Sequence, residues 1–248
     1  MIDLHSHVLP GLDDGAADLD EALEICRAAA ADGIEVIAGT PHVRHDHGTT
    51  AAGMEAALAQ VQEAAAGIIR VVGGGEVDLN ELARPPEELR RFALAGNPAY
   101  LLVETPHVGW PLDLPEQLFR LRVQGVTAVL AHPERNAEVQ SRPELLEPVV
   151  AGGALTQLTA ATLDGRWGPR AGACARTLID RGLAHLIASD AHTPAVRAVG
   201  MSAAAAAVGD EALARWLTVD VPGAIVDGTP VPERPAPSGR RRRRFRLF

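Results

Sequence analysis

The first fifteen residues, Met1-Ile-Asp-Leu-His-Ser-His-Val-Leu-Pro-Gly-Leu-Asp-Asp-Gly15, contain a short apolar stretch that runs into two histidines and then two aspartates. Ile2–His5 has the length and apolar content of a buried strand. Asp18 and Glu21 follow at the spacing of a helix N-cap and its capping partner, which predicts that a helix begins there. This stretch therefore predicts a strand that ends in polar side chains and leads to a helix.

The rest of the chain repeats this unit. Short apolar runs predict further strands at Glu35–Gly39, Ile69–Val72, Tyr100–Glu104, Thr127–Ala131, Leu155–Leu158 and His185–Ala188. Amphipathic, Ala-rich stretches predict helices at Asp18–Ala31, Ala51–Ala66, Pro86–Ala95, Leu114–Gln124, Pro143–Ala151 and Gly172–Arg181. Strict alternation of strands with helices indicates parallel pairing and right-handed crossovers. We therefore expect an α/β fold, a closed or distorted (β/α)7 barrel, with an open doubly wound sheet as the alternative.

Composition limits the class of protein. Of the 248 residues, 47% are hydrophobic but only 3% are aromatic, so a sizeable core of Ala, Val, Leu and Ile is expected. No apolar run approaches the roughly 18–20 residues of a membrane span, and the N-terminus lacks the pattern of a signal peptide. Cys26 and Cys174 lie far apart in Ala-rich helical contexts, which favours reduced core thiols. These features predict a cytoplasmic protein.

The net charge of −9 is unevenly distributed. All 23 basic residues are arginines, and seven of them lie in the last fifteen residues, so residues 1–233 carry a net charge of −16. An acidic body of this kind is a poor binder of nucleic acid, and no nucleic-acid partner is expected. It suits divalent metal ions much better.

The periodic pattern ends after Val226, which divides the chain at about residue 228. Residues 1–228 are predicted to form the folded domain. Residues 229–248 are predicted to be a Pro-rich linker and an Arg-rich tail without fixed structure. The tail, Arg240–Phe248, combines five consecutive arginines with apolar side chains, which favours binding to an anionic surface at the inner face of the membrane. An inhibitory contact with the acidic body, or no role at all, are the alternatives.

Side chains with metal-binding chemistry stand where the predicted strands end. The strands of a parallel barrel all end at one face, and the loops there carry the chemistry. Imidazole and carboxylate groups without thiolates suit Mn, Fe or Zn. The candidates exceed what one ion needs, so two or three ions are expected, and a carboxylate such as Glu76 can bridge neighbouring ions as in phosphoester hydrolysis. In chain order the candidates are His5, His7, Asp13, Asp14, His42, Glu76, Glu104, His132, Asp190 and His192.

In order and spacing these motifs resemble the PHP (polymerase and histidinol phosphatase) superfamily, and more narrowly the manganese-dependent tyrosine-protein phosphatases of bacterial capsule and exopolysaccharide systems. The resemblance covers residues 1 to about 226. It rests on residues 1–15, Thr40-Pro-His42, Gly75-Glu76, Val103-Glu104, Ala131-His-Pro-Glu-Arg135, Thr156-Gln-Leu-Thr159 and Ser189-Asp-Ala-His192.

This resemblance implies a PHP barrel that holds three divalent ions, manganese first and iron or zinc as alternatives. It assigns His5, His7, Glu76 and Asp190 to one ion, Glu76, Glu104 and His132 to a second, and Asp14, His42 and His192 to a third. It also implies that Arg135 and Arg197 contact the phosphoryl group, where a guanidinium fork can bind two oxygens and stabilise developing charge.

The loops around these motifs depart from the family pattern at several points. Thr105-Pro-His-Val-Gly-Trp110 differs after Glu104, and Thr193–Val196 lacks the glycine of the family version. His107 is either a proton donor at the mouth or an ordinary loop residue. His45 and His47 are expected to be solvated, and His185, at the opposite end of its strand, is expected to be structural.

The resemblance implies a metal-dependent protein-tyrosine phosphatase that acts on a bacterial tyrosine kinase controlling capsule or exopolysaccharide synthesis. Neither Cys26 nor Cys174 stands in the Cys-to-Arg phosphate-binding loop that a Cys-dependent phosphatase requires. Two alternatives remain at this point. One is a PHP phosphatase for histidinol phosphate or another small phosphomonoester, and the other is a non-catalytic, metal-bound interaction module.

Overall fold

The structure is a computed structural model that describes residues 1–193 and 198–236. The strands of this part of the chain are β1 Ile2–Ser6, β2 Val36–Gly39, β3 His42–Val43, β4 Arg70–Gly73, β5 Glu76–Asp78, β6 Tyr100–Glu104, β7 Thr127–Ala131, β8 Leu155–Thr159 and β9 Leu186–Ala188. Its α-helices are α1 Leu19–Ala31, α2 Ala51–Ala64, α3 Pro86–Leu89, α4 Leu114–Val123, α5 Ala137–Ser141, α6 Glu147–Ala151, α7 Ala160–Leu163, α8 Pro169–Asp180, α9 Met201–Val208, α10 Glu211–Arg215 and α11 Val221–Asp227.

The strands form a distorted parallel barrel, which confirms the predicted fold. One run of strands has the order β1-β2-β4, and the other has the order β3-β5-β6-β7-β8-β9. The barrel closes where Ser6, at the end of β1, forms a parallel bridge to Ala191. Backbone hydrogen bonds from Asp190 to the His5 carbonyl at 2.8 Å and from His7 to the Ala191 carbonyl at 2.7 Å secure this seam. The open doubly wound sheet is therefore excluded.

The distortion comes from two short strands, β3 and β5, that were not predicted and that follow the predicted strands Glu35–Gly39 and Ile69–Val72 after a break. Thr40 and Pro41 separate β2 from β3, and Gly74 and Gly75 separate β4 from β5. Proline cannot donate a ladder hydrogen bond, and a Cβ added at Gly75 would lie only 2.8 Å from the Phe92 and Val43 side chains. Beyond the breaks, β3 and β5 pair with His42 opposite Glu76, so the two predicted ligands lie side by side.

Several predicted helices have different limits in the structure. The helix predicted at Pro86–Ala95 ends at Leu89 and continues as 3-10 turns. The one predicted at Pro143–Ala151 begins as a 3-10 turn and becomes α-helical only at Glu147. Asp18 caps α1 as predicted, but Glu21 accepts a hydrogen bond from the backbone of Ala17 rather than Asp18. Helices α5, α7, α9, α10 and α11 were not predicted.

The core consists mainly of Ala, Val, Leu and Ile, as the composition implied. Cys26 and Cys174 are free, buried thiols, also as expected. Asp3 is a buried carboxylate within this core, and its Oδ1 accepts hydrogen bonds from the backbone of Ser189 at 3.0 Å and of His5 at 3.3 Å. It therefore ties β1 to the residue that follows β9 beside the closing seam.

The described residues after α11 lie against the barrel. The Trp216 indole donates to the Pro232 carbonyl at 3.0 Å, and Arg234 donates to the Ile179 carbonyl at 2.6 Å. Among residues 1–193 and 198–236, no helix has both the length and the apolar character needed to cross a membrane. Arg197 and the predicted tail Arg240–Phe248 fall outside the described residues.

Candidate metal centre

The predicted ligands converge at the carboxyl ends of the strands. Eight of the nine are buried, and Asp14 is half exposed at the rim. His5 lies in β1, His42 and Glu76 begin β3 and β5, Glu104 ends β6, and His132 follows β7. His7, Asp14, Asp190 and His192 come from the loops after β1 and β9. The fold thus brings side chains from almost the whole length of the chain to one site.

Glu76 lies at the centre of this cluster. Its Oε2 is 3.0 Å from His42 Nδ1, 3.3 Å from His5 Nε2 and 3.5 Å from His7 Nε2. Its Oε1 is 2.8 Å from His132 Nε2. A single carboxylate surrounded by four imidazoles has the arrangement of a ligand that bridges ions.

Three further carboxylates complete the cluster around Glu76. Asp190 Oδ1 is 3.3 Å from His5 Nε2 and 3.1 Å from His7 Nε2. Asp14 Oδ1 lies on the rim, 3.3 Å from His192 Nε2 and 3.6 Å from His42 Nε2. Glu104 also reaches the cluster, because its Oε2 is 3.5 Å from His42 Nδ1.

The described residues contain four groups of side chains, and within each group the ligand atoms lie within 4.8 Å of one another. The groups are His7, Asp14, His42 and His192; His5, His7 and Asp190; His5, Glu76 and His132; and His42, Glu76 and Glu104. These groups overlap with the implied assignment to three ions but do not match it throughout. The resemblance places His132 and Glu104 on one ion with Glu76, whereas here each joins Glu76 in a separate group. The set of side chains is brought together, and their assignment to individual ions stays a prediction.

The chemistry of the donor set fits divalent cations. Glu76 Oε2, Glu104 Oε2 and His42 Nδ1 are buried and have no hydrogen-bond partner among the described residues. His42 Nδ1 lies 3.0 Å from Glu76 Oε2 and 3.5 Å from Glu104 Oε2, without the alignment of a hydrogen bond. Buried polar atoms are rarely left unsatisfied, and a cation between them would satisfy all three. Nitrogen and oxygen donors without sulfur suit Mn, Fe or Zn.

Two of the predicted ligands stand at strained backbone positions. His132 has φ 36° and Asp190 has φ 52°, both in the left-handed region that non-glycine residues seldom adopt. His132 directly follows β7, and Asp190 is the second residue after the end of β9. Strain of this kind persists where the surrounding structure enforces it, often at functional sites. Here it turns two ligands into the mouth of the barrel.

Two residues orient the ligands, a role that the sequence did not predict for either of them. Asp13 Oδ2 accepts hydrogen bonds from His7 Nδ1 at 2.6 Å and from the His42 backbone at 2.8 Å. Gln157 Oε1, in β8, accepts from His5 Nδ1 at 2.9 Å. Both leave the Nε2 atom of their histidine directed at the carboxylates. Asp13 was noticeable only as the neighbour of Asp14, and Gln157 only as part of the stretch Thr156–Thr159.

The ionisation of the cluster reflects its crowding. Burial disfavours charged imidazole, but hydrogen bonds to Asp13 and Asp190 raise the pKa of His7 to about 9. Burial also disfavours a charged His42 ring, but the neighbouring Glu104 and Glu76 raise the pKa of His42 to about 11. Burial opposes ionisation of Glu76, yet the charge of His5 and the close imidazoles of His132 and His42 hold its pKa well below the usual range.

Arg135 lies in the mouth beside these ligands, and its implied contact with the phosphoryl group stays a prediction. Its Nη2 donates to Thr159 Oγ1 at 2.7 Å and to Asp190 Oδ2 at 2.5 Å. Together with His107, Arg44 and most of the ligands, it lines a cavity of about 160 Å³. Burial and the Arg135 charge lower the pKa of the adjacent His132 to about 4.

The other histidines occupy different positions. His107 lines the cavity, and its ring stacks on that of His132 with 5.7 Å between centroids. His45 is exposed as expected, but His47 is half-buried and stacks on the His42 ring at 5.1 Å. His185 lies 6.1 Å from the Trp216 ring, at the amino end of β9, and is structural as predicted.

Comparison with known proteins gives a consistent result. A family model for capsular polysaccharide synthesis proteins, CpsB/CapC, matches residues 1–226. Tyrosine-protein phosphatase YwqE from Bacillus subtilis is 33% identical over 207 residues, which cover 79% of each chain. Tyrosine-protein phosphatase CpsB from Streptococcus agalactiae serotype III is 25% identical over 211 residues, covering 79% of this chain and 85% of CpsB.

Solved structures agree with this comparison. One chain comes from the crystal structures of YwqE from Bacillus subtilis and CpsB from Streptococcus pneumoniae, described as unique metal-dependent tyrosine phosphatases. It superposes with a TM-score of 0.85 at 28% identity and covers 95% of this chain and 97% of its own. Histidinol phosphate phosphatase from Lactococcus lactis superposes with a TM-score of 0.55 at 13% identity. The superposition covers 84% of this chain and 92% of the phosphatase, and it shows a shared fold only.

Proposed function

The chain belongs to the CpsB/CapC family of capsular polysaccharide synthesis proteins, and we propose that its activity is that of a metal-dependent protein-tyrosine phosphatase. The observation that carries this proposal is the cavity of about 160 Å³ in which Arg135 lies beside Glu76, Glu104, Asp190 and His132. This cavity combines a site for cations with a guanidinium for a phosphoryl group, and phosphomonoester hydrolysis needs both.

The chain's own residues hold and orient the reacting groups. Glu76 is placed to bridge ions, since both of its oxygens face imidazoles. Asp13 and Gln157 fix the rings of His7 and His5 by their second nitrogens. Divalent ions held there lower the pKa of bound water and neutralise phosphoryl charge.

Arg135 supplies the remaining positive charge. Its Nη2 is held by Thr159 and Asp190, so one end of the guanidinium is anchored at the cavity before substrate binds. A guanidinium fork that binds phosphoryl oxygens there helps to stabilise the charge that develops in the transition state.

Neither cysteine is suited to act as a nucleophile. Burial raises the pKa of Cys26 to about 11 and that of Cys174 to about 12, with the charge of Glu134 adding to the effect at Cys174. Both thiols therefore stay protonated near neutral pH, and reactivity resides in the thiolate.

The finer assignments are part of the proposal. We propose three ions, with manganese as the native metal, and a bacterial tyrosine kinase of a capsule or exopolysaccharide system as the substrate. We also propose a phosphatase domain at residues 1–228 and an accessory segment at residues 229–248. The protein would act in the cytoplasm, with Arg240–Phe248 at the inner face of the membrane. The family match to residues 1–226 supports the capsule system, the ligand chemistry supports divalent ions, and the arginines and apolar side chains of Arg240–Phe248 support the membrane role.

A comparison of substrates tests the proposal. The full chain, stripped of metal with a chelator, is assayed with and without added manganese on a phosphotyrosine peptide, a phosphoserine peptide and histidinol phosphate. We expect manganese-dependent turnover with the highest kcat/KM on the phosphotyrosine peptide. A preference for histidinol phosphate would favour a small-molecule phosphatase. Metal binding without turnover of any substrate would favour an interaction module.

A further inference from the structure

Arg135 is held incompletely by its hydrogen bonds. Only Nη2 has acceptors in the described residues, Thr159 Oγ1 and Asp190 Oδ2, whereas Nε is buried without a hydrogen-bond partner there. A guanidinium anchored through one nitrogen can still turn about that anchor. A further contact must fix the plane of the guanidinium if its remaining N–H groups are to bind a phosphoryl group.

The Trp167 ring meets this need. The guanidinium carbon of Arg135 lies 3.9 Å from the centre of the ring, which is the distance of a stacked cation–π contact. The Arg135 side chain is only 3% exposed, whereas Trp167 is 36% exposed, so the stack joins a buried guanidinium to a ring that reaches the surface. A planar stack restricts the tilt of a guanidinium, which hydrogen bonds to one nitrogen do not.

The turn that carries Trp167 is itself held in place. The Trp167 backbone donates to the Ala161 carbonyl at 2.8 Å, and the flanking Gly165 and Gly168 have φ of 92° and 88°. Arg166 donates to Asp164 Oδ2 and to the Ala198 carbonyl, both at 2.7 Å. The ring is therefore presented from a constrained turn between α7 and α8.

We propose that Trp167 is a positioning residue that fixes the Arg135 guanidinium for phosphoryl binding. The proposal rests on the proposed function, because it concerns the phosphoryl group of the same substrate. Trp167 acts through Arg135 and takes no part in holding the ions. Its removal should weaken every interaction that depends on the orientation of Arg135 and leave the metal content unchanged.

Three substitutions at Trp167 test this. Trp167→Ala should lower kcat/KM for the phosphotyrosine peptide about tenfold and weaken binding of inorganic phosphate to the manganese-loaded protein by a similar factor. Trp167→Phe, which keeps an aromatic face, should stay within about threefold of the unsubstituted protein. Trp167→Leu is the matched control, since it keeps apolar bulk without that face, and it should behave like Trp167→Ala. Metal content and Tm are measured for each variant.

A double-mutant cycle with Arg135→Lys separates positioning from a structural effect. Lysine is a point charge without a plane to orient, so Trp167→Ala should change kcat/KM less than about twofold in that background. An equal loss in both backgrounds, or rescue by Leu as good as by Phe, would overturn the proposal. If the unsubstituted protein turned over no phosphotyrosine, the proposed function would fail, and the phosphate-binding comparison would still decide the role of Trp167.

Discussion

Asp13 accepts a hydrogen bond from His7 Nδ1 over 2.6 Å while its neighbour Asp14 turns towards His42 and His192. Adjacent carboxylates thus serve two purposes, one inside the ligand cluster and one behind it. The Asp13 side chain is buried, and the same oxygen also accepts from the backbone of His42. It therefore fixes two predicted ligands, His7 from the loop after β1 and His42 from β3.

Replacing Asp13 should weaken metal binding without removing a ligand. Asp13→Asn loses the charge that holds His7 in orientation, and losses of this kind typically lower metal affinity about 10- to 100-fold. We expect the manganese concentration for half-maximal activity to rise by that factor, with kcat at saturating manganese close to normal. Manganese titration of activity and direct binding measure the effect. Asp180→Asn, an exposed carboxylate at the end of α8, is the control and should change neither value.

Glu76→Gln should have a more severe effect. An amide keeps the size of the side chain but offers one oxygen where the carboxylate offers two, and both oxygens of Glu76 face imidazoles. We expect loss of bound metal and a fall in kcat/KM of at least about 100-fold, the lower range of removing one electrostatic group from an active site. Metal analysis and turnover are compared on the same sample, with circular dichroism to confirm folding. Normal kcat with full manganese content would show that Glu76 does not bridge ions.

The buried carboxylate of Asp3 predicts a pH effect on stability. Burial, opposed only in part by hydrogen bonds from Ser189 and His5, raises its pKa from 3.8 to about 6. The folded state then binds the proton more tightly than the unfolded state, so this group's contribution to the free energy of unfolding falls as the pH rises from about 4 to 6. A shift of about two pKa units corresponds to ~3 kcal/mol.

Asp3→Asn removes this titration while its amide oxygen can still accept from Ser189. The free energy of unfolding of the variant, relative to the unsubstituted protein, should therefore increase by ~3 kcal/mol between pH 4 and pH 7. Urea unfolding of both proteins in chelator, which removes metal binding from the comparison, measures the difference. A difference that does not change with pH would contradict the raised pKa.

The barrel and the convergence of the candidate ligands were predictable because both rest on local patterns. Most strands are short apolar runs, and most candidates stand near the end of one, so parallel pairing alone brings His5, Glu104 and Asp190 to one face. The short strands β3 and β5 were not predicted, since their position depends on contacts across the fold such as the close approach of Phe92 to Gly75.

Contacts between distant parts of the chain account for the rest. Asp13 accepts a hydrogen bond from the His42 backbone, which leaves Asp14 as the candidate ligand. The sequence around Asp13 and Asp14 does not show where the His42 backbone lies, so it could not distinguish the two roles. The stack of Trp167 on Arg135 joins residues 32 positions apart through the turn between α7 and α8. The uniform Ala-rich sequence after His192 gave no clear periodicity for α9 to α11, whose packing against the barrel decides their limits.

The predicted tail Arg240–Phe248 lies outside the described residues, and its proposed role is to bind an anionic membrane surface. The structure improves the design of a truncation. Pro232 contacts Trp216 and Arg234 contacts Ile179, so a chain cut after Glu233 would lose the Arg234 contact as well as the tail. A chain that ends at Ala236 keeps these contacts and removes all six arginines of residues 240–246.

This truncation should abolish membrane binding and leave catalysis intact. Each basic residue near an anionic surface contributes about 1 kcal/mol, and the attraction is screened within a Debye length. We expect the full chain to sediment with vesicles rich in phosphatidylglycerol at low salt and to be released from them by added salt. It should not bind phosphatidylcholine vesicles. The truncated chain should bind neither, with unchanged kcat/KM on a soluble phosphotyrosine peptide. If truncation instead raised soluble activity severalfold, the tail would be an inhibitor, and failure of the full chain to bind anionic vesicles would refute the membrane role.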